Sequence, residues 1–260
     1  MNQKAILVVS FGTTKDETRQ KNIEAVEADV AAAFPGYTVR RAFTSSIVLR
    51  RLHERGIQVD NVQQALTRLK EERFRQVTIL PTHLLPGEEY HKLLDMTAPF
   101  ATDFAQLIVA KPLLYGTEDV EAVSGFLKET YPVKEKEALL LMGHGTEHFA
   151  NHIYPAMAYI LKEMKADHIF VATVEGYPQF EPVLEKMKIE GYQAVKLVPL
   201  MLVAGEHAMN DMAGEEPDSW KNQCLAAGMD VSYVLAGLGE FPEIRKIYLR
   251  HLQEAMEAAG

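Results

Sequence analysis

One cysteine, Cys224, is all this 260-residue chain has. An intramolecular disulfide is therefore impossible, and so is a thiolate-rich zinc site. Its setting, Trp220-Lys221-Asn222-Gln223-Cys224-Leu225, reads as an amphipathic helix, so an inert, partly buried thiol is expected. Basic character is also scarce: the net charge is −9 and no Lys/Arg-rich run marks a phosphate footprint, which argues against a nucleic-acid partner. No window approaches the ~18 apolar residues of a membrane span. Nor does an apolar signal segment precede the first strand, and a cytoplasmic location with no membrane partner is expected. Several familiar loops are missing. There is no Gly-x4-Gly-Lys-Ser/Thr sequence, no Gly-x-Gly-x-x-Gly after the first strand and no Gly-x-Ser-x-Gly elbow, so neither nucleotide chemistry nor a serine hydrolase is indicated.

What the chain does have is an alternating α/β pattern. Apolar residues make up 47% and charged residues 24%, ordinary values for a chain with a substantial core. Ala5-Ile6-Leu7-Val8-Val9 reads as a strand covered on both faces. A helix is predicted from about 16 to 33, with Ile23, Val26 and Val30 on one face. Further strands are predicted near 37–43, 76–80, 106–110, 138–142, 168–174, 195–200 and 230–235. Helices lie between them: Ser45 and Ser46 can cap one, Asp60 the next, and Pro242 to Ala259 forms a long last helix.

The alternation looks like an internal duplication. Ser10-Phe11-Gly12-Thr13 matches Gly143-His144-Gly145-Thr146 at an offset of 133, and Val77-Thr78-Ile79-Leu80-Pro81 matches Val195-Lys196-Leu197-Val198-Pro199 at an offset of 118. At the second offset Gly87-Glu88-Glu89 falls on Gly205-Glu206-His207. The fold class expected is α/β, with two similar domains, each a four-stranded, mostly parallel sheet flanked by helices. Residues 1–115 form the N-terminal domain and 116–260 the C-terminal one, with the last helix free to pack back on the first.

Three strands of the second half end on residues that can bind a metal. His144, Glu175 and His207 are 31 and 32 residues apart. About thirty residues is one strand-helix-strand unit, so all three are expected at the carboxyl edge of one sheet, where open α/β sheets bind ligands. Glycines on both sides of His144 let the backbone bend and leave the imidazole uncovered. Two imidazoles and a carboxylate suit a divalent first-row metal and leave positions open for a substrate. Phe11 and Glu89 occupy the corresponding places in the first half, which is therefore expected to form the facing wall of an interdomain cleft. His148 and His152 continue from His144 at four-residue steps, which on a helix would share one face, but His144 is expected to precede the helix proper, and the other two read as solvated or supporting groups. His83 follows strand three and is a candidate to line the cleft. His53, His91, His168 and His251 read as surface.

The segments Val8 to Thr13, Met142 to Gly145, Val174-Glu175-Gly176-Tyr177-Pro178 and Pro199 to Met212 resemble the anaerobic sirohydrochlorin cobaltochelatases of cobalamin biosynthesis, class II chelatases related to the ferrochelatases. The resemblance runs from about residue 5 to residue 250. It implies a chelatase-like fold of two α/β domains with a tetrapyrrole between them, and ATP-independent insertion of Co(II) as substrate metal, with no nucleotide. It carries a metal role onto His144, Glu175 and His207, with His144 also the proton acceptor. The cleft residues expected to touch the tetrapyrrole are Ser10, Phe11, Gly12, His83 and Glu88, and Arg40, Arg41, Arg50 and Arg51 are candidates for its carboxylates. The partners expected are a sirohydrochlorin-type tetrapyrrole and a divalent metal, and a homo-oligomer is left open. Three other readings stand beside this one: an iron or nickel chelatase of the same fold, a metal or tetrapyrrole carrier without turnover, and a metal-dependent hydrolase.

Overall fold

The computed structural model describes residues 3–259, which divide into two compact units, 3–115 with 239–259, and 116–238. In the first, β1 (Lys4–Ser10) is followed by α1 (Asp16–Arg19), one π-helical turn (Gln20–Glu24), α2 (Ala25–Ala33), β2 (Thr38–Phe43), α3 (Ser46–Glu54), α4 (Val62–Glu71), β3 (Gln76–Pro81), α5 (Glu88–Thr97) and β4 (Gln106–Val109). The terminal helix, Pro242–Ala258, belongs to this unit. In the second unit come α6 (Thr117–Thr130), β5 (Glu137–Gly143), α7 (Ile153–Glu163), β6 (Ile169–Thr173), α8 (Phe180–Ile189), β7 (Ala194–Leu200), α9 (Trp220–Ala226) and β8 (Asp230–Tyr233). No helix among the described residues is long and apolar enough to cross a membrane.

The two sheets are built alike. Their strand orders are β2-β1-β3-β4 and β6-β5-β7-β8, with every pairing parallel. The likeness extends to register. Val9 pairs with Pro81 in one sheet and Met142 with Pro199 in the other, the positions related by the two sequence offsets of 133 and 118. The central strands read as unbroken apolar runs because helices cover both faces. Every residue of β5 is buried, as is β1 from Ala5 onward. In the second unit Leu140, Met142, Phe170, Leu197 and Trp220 share one core cluster. In the first, Leu7, Val9, Leu66, Ile79 and Leu93 do the same.

Local chemistry explains several element ends and corrects two expectations. Ser45 caps α3, its side chain accepting from the Val48 amide. The cap of α4 is Asn61, not Asp60. Asn61 and Gln64 bond reciprocally to each other's backbone amides, the exchange that satisfies two orphan donors at once. Asp60 instead pairs with Arg68 at 3.1 Å. His251, read from sequence as surface, is 1% exposed on the inner face of the terminal helix with Ile247 and Leu252. Its charged neighbours in sequence hid its place on that helix's apolar stripe. His144 precedes the helical segment, as expected: His148 caps the 3-10 turn Phe149–His152, and α7 starts at Ile153.

Candidate metal centre

His144 stands one residue beyond the end of β5, and the turn after it needs glycine. Gly145 has φ +82°, and a Cβ there would lie 2.5 Å from the Gly176 amide nitrogen. A Cβ on Gly143 would overlap the Tyr154 ring. Tyr154 is fully buried, its hydroxyl pushed up to about 12 by burial, and it receives the Gly145 amide at 3.4 Å. The β5–β6 ladder runs on past the strands: the Val174 amide donates to Gly143 O at 3.1 Å and the Glu175 amide to His144 O at 2.8 Å. Glu175 is thereby held beside His144. One further side chain ties the two loops. Asn151 accepts the Thr146 amide at 3.1 Å and donates to Tyr177 O at 2.7 Å.

His207 arrives from β7, the other neighbour of β5. It heads a π-helical turn, Ala208–Met212, whose two ends are fully buried. The result is a cluster in which His144, Glu175 and His207 each offer one ligand atom within 4.8 Å of the others. The two imidazoles meet edge to face, centroids 4.7 Å apart at 88°. His144 Nδ1 lies 3.8 Å from Glu175 Oε2 and 2.9 Å from Gly145 O. A carbonyl only accepts, so that nitrogen carries the hydrogen and Nε2 keeps its lone pair. His207 Nδ1 sits 2.6 Å from Asp211 Oδ2, which leaves its Nε2 free in the same way. The side chains of His144, Glu175 and His207 are 47%, 60% and 36% exposed, so a large substrate can reach them. Two nitrogens and one oxygen with an open side suit a divalent first-row metal that must be given up again. Cys224 is no competitor as a ligand. It is wholly buried, and burial pushes its thiol up to about 12.

A model of the cobalt chelatase (CbiK) family matches residues 4–257. The chain belongs to this family. It is 38% identical to the sirohydrochlorin cobaltochelatase of Salmonella typhimurium, over 99% of this chain and 98% of that one. It is 35% identical to sirohydrochlorin cobaltochelatase CbiKC of Nitratidesulfovibrio vulgaris, over 99% of this chain and 92% of that one. Among solved structures, SirB from Bacillus subtilis with Fe3+ superposes with a TM-score of 0.69 at 18% identity, covering 99% of this chain and 98% of SirB. The fold of this cobalt chelatase family member is therefore chelatase-like.

The residues expected to contact a tetrapyrrole are all in the first unit and differ in accessibility. Phe11 takes the place in that unit that His144 takes in the other, and its side chain is 52% exposed. Glu88 is exposed and paired with Lys92 at 2.9 Å. Ser10 is buried and its hydroxyl accepts from Thr82 at 2.8 Å. Gly12, at φ +98°, lies tightly under the Phe43 ring. His83 keeps both ring nitrogens buried, with no hydrogen-bond partner among the described residues. Arg41 is bound to Glu27 through Nε at 2.7 Å and Arg40 to Glu72 at 3.2 Å. Sequence reasoning missed Asp211, Asn151 and Tyr154. Only Asp211 carried a usable signal, its four-residue distance from His207.

Proposed function

We propose that this protein inserts Co(II) into sirohydrochlorin, with His144, Glu175 and His207 as the transient ligands of the metal. The observation that carries the reading is the meeting of these three side chains, from three different loops, in a chain matched along its length by cobalt chelatases. The tetrapyrrole exchanges two pyrrole N–H protons for one divalent cation. A residue that can both hold the cation and take up a proton near neutral pH must be an imidazole. His144 serves as that proton acceptor: its Nδ1 hydrogen is engaged with Gly145 O, so its Nε2 lone pair can take up one proton once the metal has passed to the macrocycle, and the second proton leaves to solvent. Phe11 offers an apolar face to the macrocycle from the first unit. Ser10, Gly12, His83 and Glu88 are the other proposed contributors to its binding. No phosphate-binding loop is present in the sequence, and insertion is proposed to proceed without nucleotide hydrolysis.

The test is incubation of purified protein at substoichiometric concentration with sirohydrochlorin and Co(II), without ATP. Conversion of the macrocycle spectrum over many equivalents supports the chelatase. A change that stops at one equivalent supports a carrier instead. Parallel assays with Fe(II) and Ni(II) decide the metal, since an imidazole-carboxylate set does not discriminate sharply among these neighbours.

A further inference from the structure

Asp211 is held against an imidazole of the cluster at true hydrogen-bond distance. Its Oδ2 lies 2.6 Å from His207 Nδ1, whereas Glu175 is 3.8 Å from His144. The contact is built into the backbone. His207 and Asp211 are four residues apart on a π-helical turn whose flanking residues, Ala208 and Met212, are both fully buried. Those two anchors fix the turn's rotation and set the adjacent pair, His207 and Asp211, side by side. A chance surface pairing of long, free side chains would have no such support. We propose that Asp211 is a positioning residue for His207: by accepting the Nδ1 hydrogen it selects the tautomer with a bare Nε2, orients the ring, and strengthens it as a metal ligand. The two imidazoles are then unequal. His207 has an anionic partner and His144 a neutral carbonyl, so His207 is the firmer anchor for the metal.

This rests on the reading of His207 as a ligand, and the test separates the two. Co(II) binding to the otherwise intact protein is followed by visible absorption without tetrapyrrole. The His207 tautomer is read from imidazole nitrogen shifts, which distinguish a protonated from a bare ring nitrogen. Asp211→Ala is expected to mix the tautomers and weaken Co(II) binding about 10- to 100-fold. The cobalt KM should rise in parallel, with the tetrapyrrole KM unchanged. Asp211→Asn keeps a side-chain acceptor, so the tautomer should persist and the loss should stay under about 10-fold. Asp211→Ala with an unchanged tautomer and an affinity within about twofold overturns the proposal. An equal loss in both variants without a tautomer change also overturns it. His207→Ala is the control: if it too binds Co(II) normally, the ligand assignment has failed, and not merely the role of Asp211.

Discussion

His144 and His207 touch edge to face at 4.7 Å because they leave the sheet from adjacent strands. β5 and β7 are the central pair, with Gly143 opposite Leu200, and neighbouring strands run about 4.8 Å apart. His144 emerges directly beyond β5, the seven-residue run that follows Leu200 brings His207 against it, and Glu175 comes from β6 on the other side of β5.

Substitution of either histidine should therefore remove chemistry and spare the fold. His144→Ala and His207→Ala are each expected to lower cobalt insertion by at least about 100-fold, the usual contribution of a positioned acid-base group. The two side chains are 47% and 36% exposed, so urea midpoints should stay near wild type. An insertion rate within a few-fold of wild type removes the residue from the mechanism.

Asn151 bridges the loop of His144 to the loop of Glu175 with two bonds. In Asn151→Ala the Thr146 amide and Tyr177 carbonyl lose their partner, at a cost of about 1–3 kcal/mol. Co(II) binding should weaken with it, as the two ligand loops separate. Urea titration and cobalt titration of the same variant check both parts. Unchanged cobalt affinity in a destabilised variant would make Asn151 purely structural.

The site was legible in sequence to the extent that spacing encodes topology. An interval of about thirty residues between loops implies strands of one parallel sheet, and β5, β6 and β7 are such strands. The duplication was legible for the same reason, since Val9–Pro81 and Met142–Pro199 obey offsets visible in the chain. Hydrogen-bond partners were not. Nothing in Asn151 or Tyr154 announces that one clips two loops and the other supports Gly145 from the core. His251 failed for a related reason: a polar residue on an apolar helix stripe looks exposed until the neighbouring elements are placed. Asn61 took the cap from Asp60 with Gln64 completing its box, a choice that spacing could not make because Gln63 stands in the same relation to Asp60.

Gly145 and Gly125 make opposite predictions for the same substitution. At Gly145 φ is +82° and an added Cβ would meet the Gly176 backbone, which cannot yield as a flexible side chain can. Gly145→Ala is expected to cost about 2 kcal/mol or more and to abolish cobalt binding. Gly125 lies inside α6, where an added Cβ meets nothing within 4 Å. Gly125→Ala should stabilise the protein by up to about 1 kcal/mol and leave insertion intact. Denaturation curves for the pair test the assignment, and a neutral Gly145→Ala refutes it.

His83 gives the protein a defined acid sensitivity. Burial lowers its pKa to about 4 against an opposing contribution from Glu89, and among the described residues neither ring nitrogen has a hydrogen-bond partner. Its backbone carbonyl is meanwhile fixed by the Leu113 amide at 3.0 Å, with the Tyr248 hydroxyl at 3.4 Å. The native ring therefore stays neutral while the unfolded chain takes up a proton near pH 6.5. As pH falls from 6.5 toward 4 the unfolded state binds more protons, so stability is lost across that window. At 1.36 kcal/mol per pH unit the loss from this residue is about 2 kcal/mol between pH 7 and pH 5. Replacing the ring with a group that does not titrate removes the difference: His83→Gln should show a shallower fall in urea stability over that interval than wild type. Parallel slopes for the two proteins would mean that His83 is already protonated in the folded state, or that its nitrogens find a partner there.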